Sequence, residues 1–315
     1  MRNNKVNDLK IECRKDEPQE EPKKKKDHLK EKLFGFLKLI VMMSAVVVLT
    51  TLAVDATDNM DNLGNSLVGS AIGVGGENKS RCPEGMVYVT SGSGSFCIDA
   101  YTASTSGDCP NPEPSSQSET RDNLSASDCK PVSKADAIPW RYISQTQAQT
   151  ACSLSGKRLA SNREWFEAAQ GTPSSGPWGL DDCNLNNNWS ESPGPTGSGE
   201  KCVSGFSTFD QVGNTWEWVS DTVRDGVMDG QTLPETGYIT SVDTEGVILE
   251  TDPDKPNENY NGDWLWIKSK GTRGVMRGGF FGSQSDGGVY SFHAEMTPDF
   301  AGRAVGFRCV SEPKY

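Results

Sequence analysis

Eight cysteines spread over residues 82–309 constrain this 315-residue chain more than any other feature. They are Cys82, Cys97, Cys109, Cys129, Cys152, Cys183, Cys202 and Cys309, and a ninth, Cys13, stands alone near the N-terminus. An even set in an exported domain predicts four disulfides. No two of the eight have Cys-x-x-Cys spacing, which argues against zinc-ribbon and thioredoxin-like folds. The eight allow on the order of 100 pairings. Proximity favours Cys82–Cys97, Cys109–Cys129 and Cys183–Cys202, and leaves Cys152–Cys309 as a long staple.

The case for export comes from residues 33–54, "LFGFLKLIVMMSAVVVLTTLAV", an apolar run broken only by Lys38 near its start. At ~1.5 Å per residue it spans roughly 33 Å, the thickness of a bilayer core, and Lys38 can snorkel to the interface. "KKKKDHLKEK" lies just upstream, so the N-terminus is expected in the cytoplasm and the rest outside it. The expected plan is a disordered tail (1–32), one transmembrane helix (33–54), a Gly/Asn/Ser-rich stalk (55–80) and a folded domain (81–315). A signal peptide cleaved near Val54–Ala56 is the alternative to an uncleaved anchor. Residues 1–54 hold 12 Lys/Arg against 8 Asp/Glu, and residues 55–315 hold 19 against 35. The acidic exported part repels phosphate backbones, so no nucleic-acid partner is expected.

Within the domain, Met86–Val89 and Phe96–Asp99 flank a Gly/Ser turn and predict a β-hairpin. Residues 103–137, rich in Ser, Pro and Asp, read as a long loop. Two helices follow with capping boxes, Ser144 with Gln147 and Ser161 with Glu164, ending at Gly156 and Gly171. Glu164 is therefore read as a cap. Beyond Gly171 the chain is mostly loop punctuated by tryptophan. These features predict an α+β domain, loop-rich and with few strands, that needs its disulfides.

Four short motifs occur in order: "GKRLASNREWFEAA" (156–169), "VGNTWEWVSD" (212–221), "MRGGFF" (276–281) and "GFRC" (306–309). Together they resemble the formylglycine-generating enzyme, or sulfatase-modifying factor, family over roughly residues 82–312. The resemblance implies a variant of the C-type lectin fold, and it too links Cys152 to Cys309. It also implies a structural calcium ion at "FDQVGNTWEW", with carboxylates from Asp210 and Glu217 and carbonyls from Gly213 and Thr215, a donor set that suits this cation. Pairing of Glu217 with an arginine is the alternative. A second family calcium site falls at Asn184 and Leu185, but its other ligands find no match in "SESPGPTGSGE".

The loop "MRGGFFGSQSDGGVYSFH" (276–293) decides between enzyme and binding module. Oxidase members of the family follow Arg-Gly-Gly with two copper-binding cysteines, and here those positions are Ser283 and Gly288. Copper(I) needs soft ligands, so copper chemistry is not expected. Iron held by a histidine-rich triad is not expected either, because the exported part has one histidine, His293. For hydrolysis His293 could pair with Ser283, Ser285 or Ser291, with Asp286 or Asp299 orienting the ring, and a non-standard set of Arg277, Ser283 and His293 is the weaker enzyme reading. Gly278 and Gly279 read as close backbone packing, and Arg277 and Arg308 as partners for carboxylates. In "NYNGDWLWI", Tyr260, Trp264 and Trp266 stand among Asn and Asp, a mixture suited to sugars or peptides. Trp264 and Trp266 also alternate as a strand does, and packing of one face in the core is the equal alternative. The expected function is a membrane-anchored, extracytoplasmic module that recognises a protein or glycan. The alternative is an oxidoreductase or hydrolase of the same fold with a non-standard site.

Overall fold

The computed structural model describes residues 81–314 other than Ser93. The expected tail, transmembrane helix and stalk lie outside these residues. Among the described residues no helix is long and apolar enough to cross a membrane.

The chain opens with the hairpin β1 (Met86–Ser91) and β2 (Gly94–Asp99), in which Met86 faces Asp99 and Val89 faces Phe96. β3 (Ser104–Thr105) pairs with β4 (Pro131–Val132) across α1 (Gln117–Ser125). α1 corrects the expectation of an unstructured loop over 103–137. Ser116 caps it by accepting the Glu119 N–H, and the buried Asn123 exchanges two hydrogen bonds with the Asn111 backbone, each 2.8 Å. Next come α2 (Gln145–Leu154), β5 (Arg158–Leu159) and α3 (Asn162–Ala169). Both expected capping boxes are formed, at Ser144 and Ser161.

After a long loop come β6 (Trp216–Arg224), β7 (Val227–Met228), β8 (Gln231–Thr232), β9 (Gly237–Val242) and β10 (Ile248–Asp252). β11 (Trp264–Ile267), β12 (Thr272–Arg277), β13 (Phe292–Ala294), β14 (Val305–Phe307) and β15 (Cys309–Ser311) complete the domain. The large sheet runs β10-β9-β11-β13-β12-β6-β7-β8, with β14 parallel to the start of β6. A smaller sheet, β1-β2-β15-β5, joins the first hairpin to the last strand.

Alternation along the strands sorts side chains onto two cores. In β6, Trp216 and Trp218 join a cluster with Ala148, Ala151 and Cys152 of α2, while Val219 and Val223 join another with Trp165, Ala168 and Ala169 of α3. The large sheet is thus packed between two helices, each burying an apolar stripe against it. Four disulfides staple the loops: Cys82–Cys97, Cys109–Cys129, Cys152–Cys309 and Cys183–Cys202.

Candidate functional site

Glu217 projects from β6 to the opposite side of the strand from Trp216 and Trp218. Its carboxylate is fully buried and accepts four hydrogen bonds, which exhaust its in-plane positions. Arg308 donates through Nε (2.7 Å) and Nη2 (2.8 Å), Trp165 through Nε1 (2.7 Å) and Thr102 through Oγ1 (2.8 Å). Arg308 spends its remaining donors on the carbonyls of Asp99, Ala100 and Phe209. Asp210 lies close enough to feel both charges. Its Oδ2 accepts the Gly197 N–H at 2.6 Å, and its Oδ1 is buried with no hydrogen-bond partner. Burial lifts its carboxyl to about 7, partly offset by the Gly197 N–H and Arg308, and Glu217 pushes it up further.

A calcium ion needs six to eight oxygens. Of the four expected donors Asp210, Gly213, Thr215 and Glu217, Glu217 is already committed to Arg308, whose guanidinium supplies the positive charge there. Glu217 takes the alternative role of arginine partner. At the second position, the Asn184 and Leu185 carbonyls accept the N–H groups of Asn214 and Gln284, each at 2.8 Å. Among the described residues no group of three or more acidic, histidine or cysteine side chains is arranged to hold a metal.

The loop after β12 is built on glycines. Gly278 has φ +90°, and a Cβ there would strike the Gln211 carbonyl oxygen. Gly288 lies against the buried Asp263, and a Cβ at 288 would sit 2.6 Å from the Asp263 Cγ. Ser283 opens a 3₁₀ turn, and its hydroxyl accepts the Phe280 N–H at 3.0 Å. Asp263 Oδ2 accepts the Tyr290 N–H at 2.7 Å, while Oδ1 is unpartnered. Burial raises this carboxyl to about 8, against the pull of the Tyr290 and Ser291 N–H groups and of Arg277.

The sheet separates the three residues of the enzyme reading. Arg277 is fully buried over the rings of Trp165, Phe166 and Phe292. It donates to Asn162 Oδ1 (2.5 Å) and to the carbonyls of Gly246 (2.9 Å) and Val289 (3.0 Å). This corrects its expected carboxylate partner to an amide and two carbonyls. Burial pulls its pKa down to about 9, although Asp263, Asp221 and Asp243 favour the charge. His293 faces the other way. It lies opposite Met276 and Trp266 in the sheet, its Nδ1 accepts the Glu295 N–H at 3.4 Å, and burial lowers its pKa to about 4. A ring so weakly basic is a poor general base near neutrality. The neighbouring Ser291 hydroxyl donates to the Asp286 carbonyl. Arg277, Ser283 and His293 therefore do not converge.

An aromatic row does converge, and sequence spacing found part of it. Trp264 and Trp266 are half-buried on one face of β11, with Leu265 in the core beneath. Tyr238 of β9 meets Trp264 edge to face at 4.5 Å, Trp264 lies 6.5 Å from Trp266, and Trp266 meets Trp216 at 5.4 Å and His293 at 5.8 Å. Tyr238 and His293 reach the row through strand pairing that no local pattern announces. Tyr260, expected beside the tryptophans, instead ends a 3₁₀ turn and packs on Tyr290 at 5.0 Å against the α3 core.

A mixed α+β domain with two cores about one large sheet, four disulfides and much ordered loop is a C-type-lectin-like architecture. Residues 87–313 match the model of the sulfatase-modifying factor enzyme 1-like domain, and the chain belongs to that family. Among solved structures it is similar to the Major Tropism Determinant I1 variant, with a TM-score of 0.40 and 14% identity over 74% of this chain and 54% of that one. PvdO from Pseudomonas aeruginosa gives 0.38 and 14% over 70% and 81%. Treponema denticola variable protein 1 gives 0.36 and 14% over 74% and 100%. The chain spans about half the length of the tropism determinants it matches. No curated protein sequence matches it.

Proposed function

We propose that this is a recognition module of the sulfatase-modifying factor family, anchored by residues 33–54 on the outer side of a membrane and without the family's oxidase chemistry. One observation carries the reading. At Gly288, where oxidase members hold a copper thiolate, a side chain would overlap the carboxylate of Asp263. At the partner position, the Ser283 hydroxyl is engaged with the Phe280 N–H and offers copper(I) no soft donor. The half-exposed row Tyr238–Trp264–Trp266 is the surface suited to a ligand, since aromatic rings combine apolar area with directional contacts. Four disulfides suit an oxidising compartment. The test loads the full chain with copper(I), removes unbound metal, and follows oxygen uptake with a cysteine-containing peptide. We expect no stoichiometric copper and no uptake above the metal-free rate. One copper per chain with turnover would end the reading.

A further inference from the structure

We propose that the ligand of this aromatic row is a lysine-bearing peptide segment of a partner protein, lying along β10 and β9 with its ammonium groups over Tyr238 and Trp264. The inference rests on the reading of the domain as a recognition module and names what that module recognises. Strand pairing places Asp252 opposite Tyr238 and Tyr238 opposite Trp264, so a carboxylate and two rings form one line across three strands. All three residues are half-buried. The Tyr238 and Trp264 rings stand at 87° to each other, and those of Trp264 and Trp266 at 55°. Their π-faces thus point in several directions, which suits cations better than the flat platform a sugar ring stacks on.

Charge selects the same ligand. Residues 221–258 carry ten Asp/Glu against two Lys/Arg, and Glu235, Glu250 and Asp254 are exposed around β9 and β10. The N–H groups of Asp254 and Lys255 hold the Asp252 carboxyl below its usual range, so it stays ionised. Lys268 and Lys270, exposed just beyond β11, repel cations from that end and confine them to the β10 side.

The test measures binding to the full chain in non-ionic detergent, by fluorescence anisotropy, of a labelled ten-residue peptide alternating Lys and Thr. A version with Gln for Lys and a panel of neutral oligosaccharides run beside it. The lysine peptide should bind at least tenfold more tightly than the glutamine one. Trp264→Ala should weaken it at least tenfold at an unchanged melting temperature. If Trp264→Ala unfolds the chain, Glu250→Gln with Asp254→Asn, both exposed, provides the same comparison. Equal binding of the two peptides, or lysine-peptide binding indifferent to these variants, overturns the proposal. Trp264-dependent binding of a neutral oligosaccharide alone overturns the proposal but leaves the recognition module standing. No binding in any arm also overturns the proposal, whereas the recognition module itself stands or falls on the copper test.

Discussion

Glu217 and Arg308 show how a buried charge can look like a metal ligand from sequence. Both side chains have 0% exposure and meet through two hydrogen bonds. Breaking such a pair from one side strands the other charge, at a cost of about 3–5 kcal/mol. Glu217→Gln should lower the unfolding free energy by that amount in a urea titration, while chelation of divalent cations should leave the wild type unchanged. A fall in stability on chelation would return Glu217 to a cation. Asp263 makes a prediction of different form. Its carboxyl is raised by burial to about 8, so between its unfolded value near 3.8 and that pH the unfolded chain is ionised while the folded one keeps its proton. Stability therefore falls as pH rises through this window, by about 1.4 kcal/mol per pH unit for one such group. Asp210, raised to about 7, acts in the same sense. His293 acts oppositely: lowered to about 4, it adds stability as pH rises from there to about 6.5 and nothing beyond. Above pH 6.5 the carboxylates act unopposed, and Asp263→Asn should flatten the decline between pH 6.5 and 8 in thermal melts. An unchanged slope would mean that Asp263 is already ionised in the fold.

Helix ends were the most legible part of the sequence, because a cap is a local contract among four residues. At α3 the Ser161 hydroxyl accepts the Glu164 N–H while Glu164 Oε2 accepts the Ser161 N–H at 2.9 Å. Glu164 also takes Arg158 through two bonds of 2.6 and 2.5 Å, which explains why its carboxyl is lowered despite burial. Ser161→Ala should cost about 1 kcal/mol in urea, a typical loss for a removed N-cap. No measurable loss would mean that Arg158 alone holds this helix start. The grammar that revealed α2 and α3 is also written at α1, as Ser116 followed by Glu119, but its surroundings of Pro, Asp and Asn suggest a loop. Tertiary contacts of Asn123 and Trp140, whose Nε1 donates to Thr120, make the helix there. The candidate site divides the same way. Trp264 and Trp266 were legible from alternation within one strand, whereas Tyr238 and His293 depend on pairings between distant strands, including the parallel pair β11–β13, and Asp263 on its contact with the Gly288–Tyr290 loop.

At the scale of the molecule, the cysteines fixed which distant parts meet. Three disulfides close loops of 15, 20 and 19 residues, and the fourth, Cys152–Cys309, closes 157. It ties α2 to β15, and through β15 to the opening hairpin, so the two ends of the domain are held on one small sheet. Chain entropy makes its expected contribution about 5 kcal/mol against about 3 for each short loop, because the unfolded ensemble loses more freedom when the longer loop is closed. Replacing Cys152 and Cys309 together by alanine should therefore cost about 2 kcal/mol more than replacing Cys82 and Cys97. The comparison is fair because all four residues are buried, so the packing lost is similar in both pairs. Urea midpoints of the two double variants, with the remaining disulfides confirmed by thiol counting, measure the difference. If the short-loop variant proved the less stable, native packing around the hairpin rather than loop closure would be what the cysteines secure.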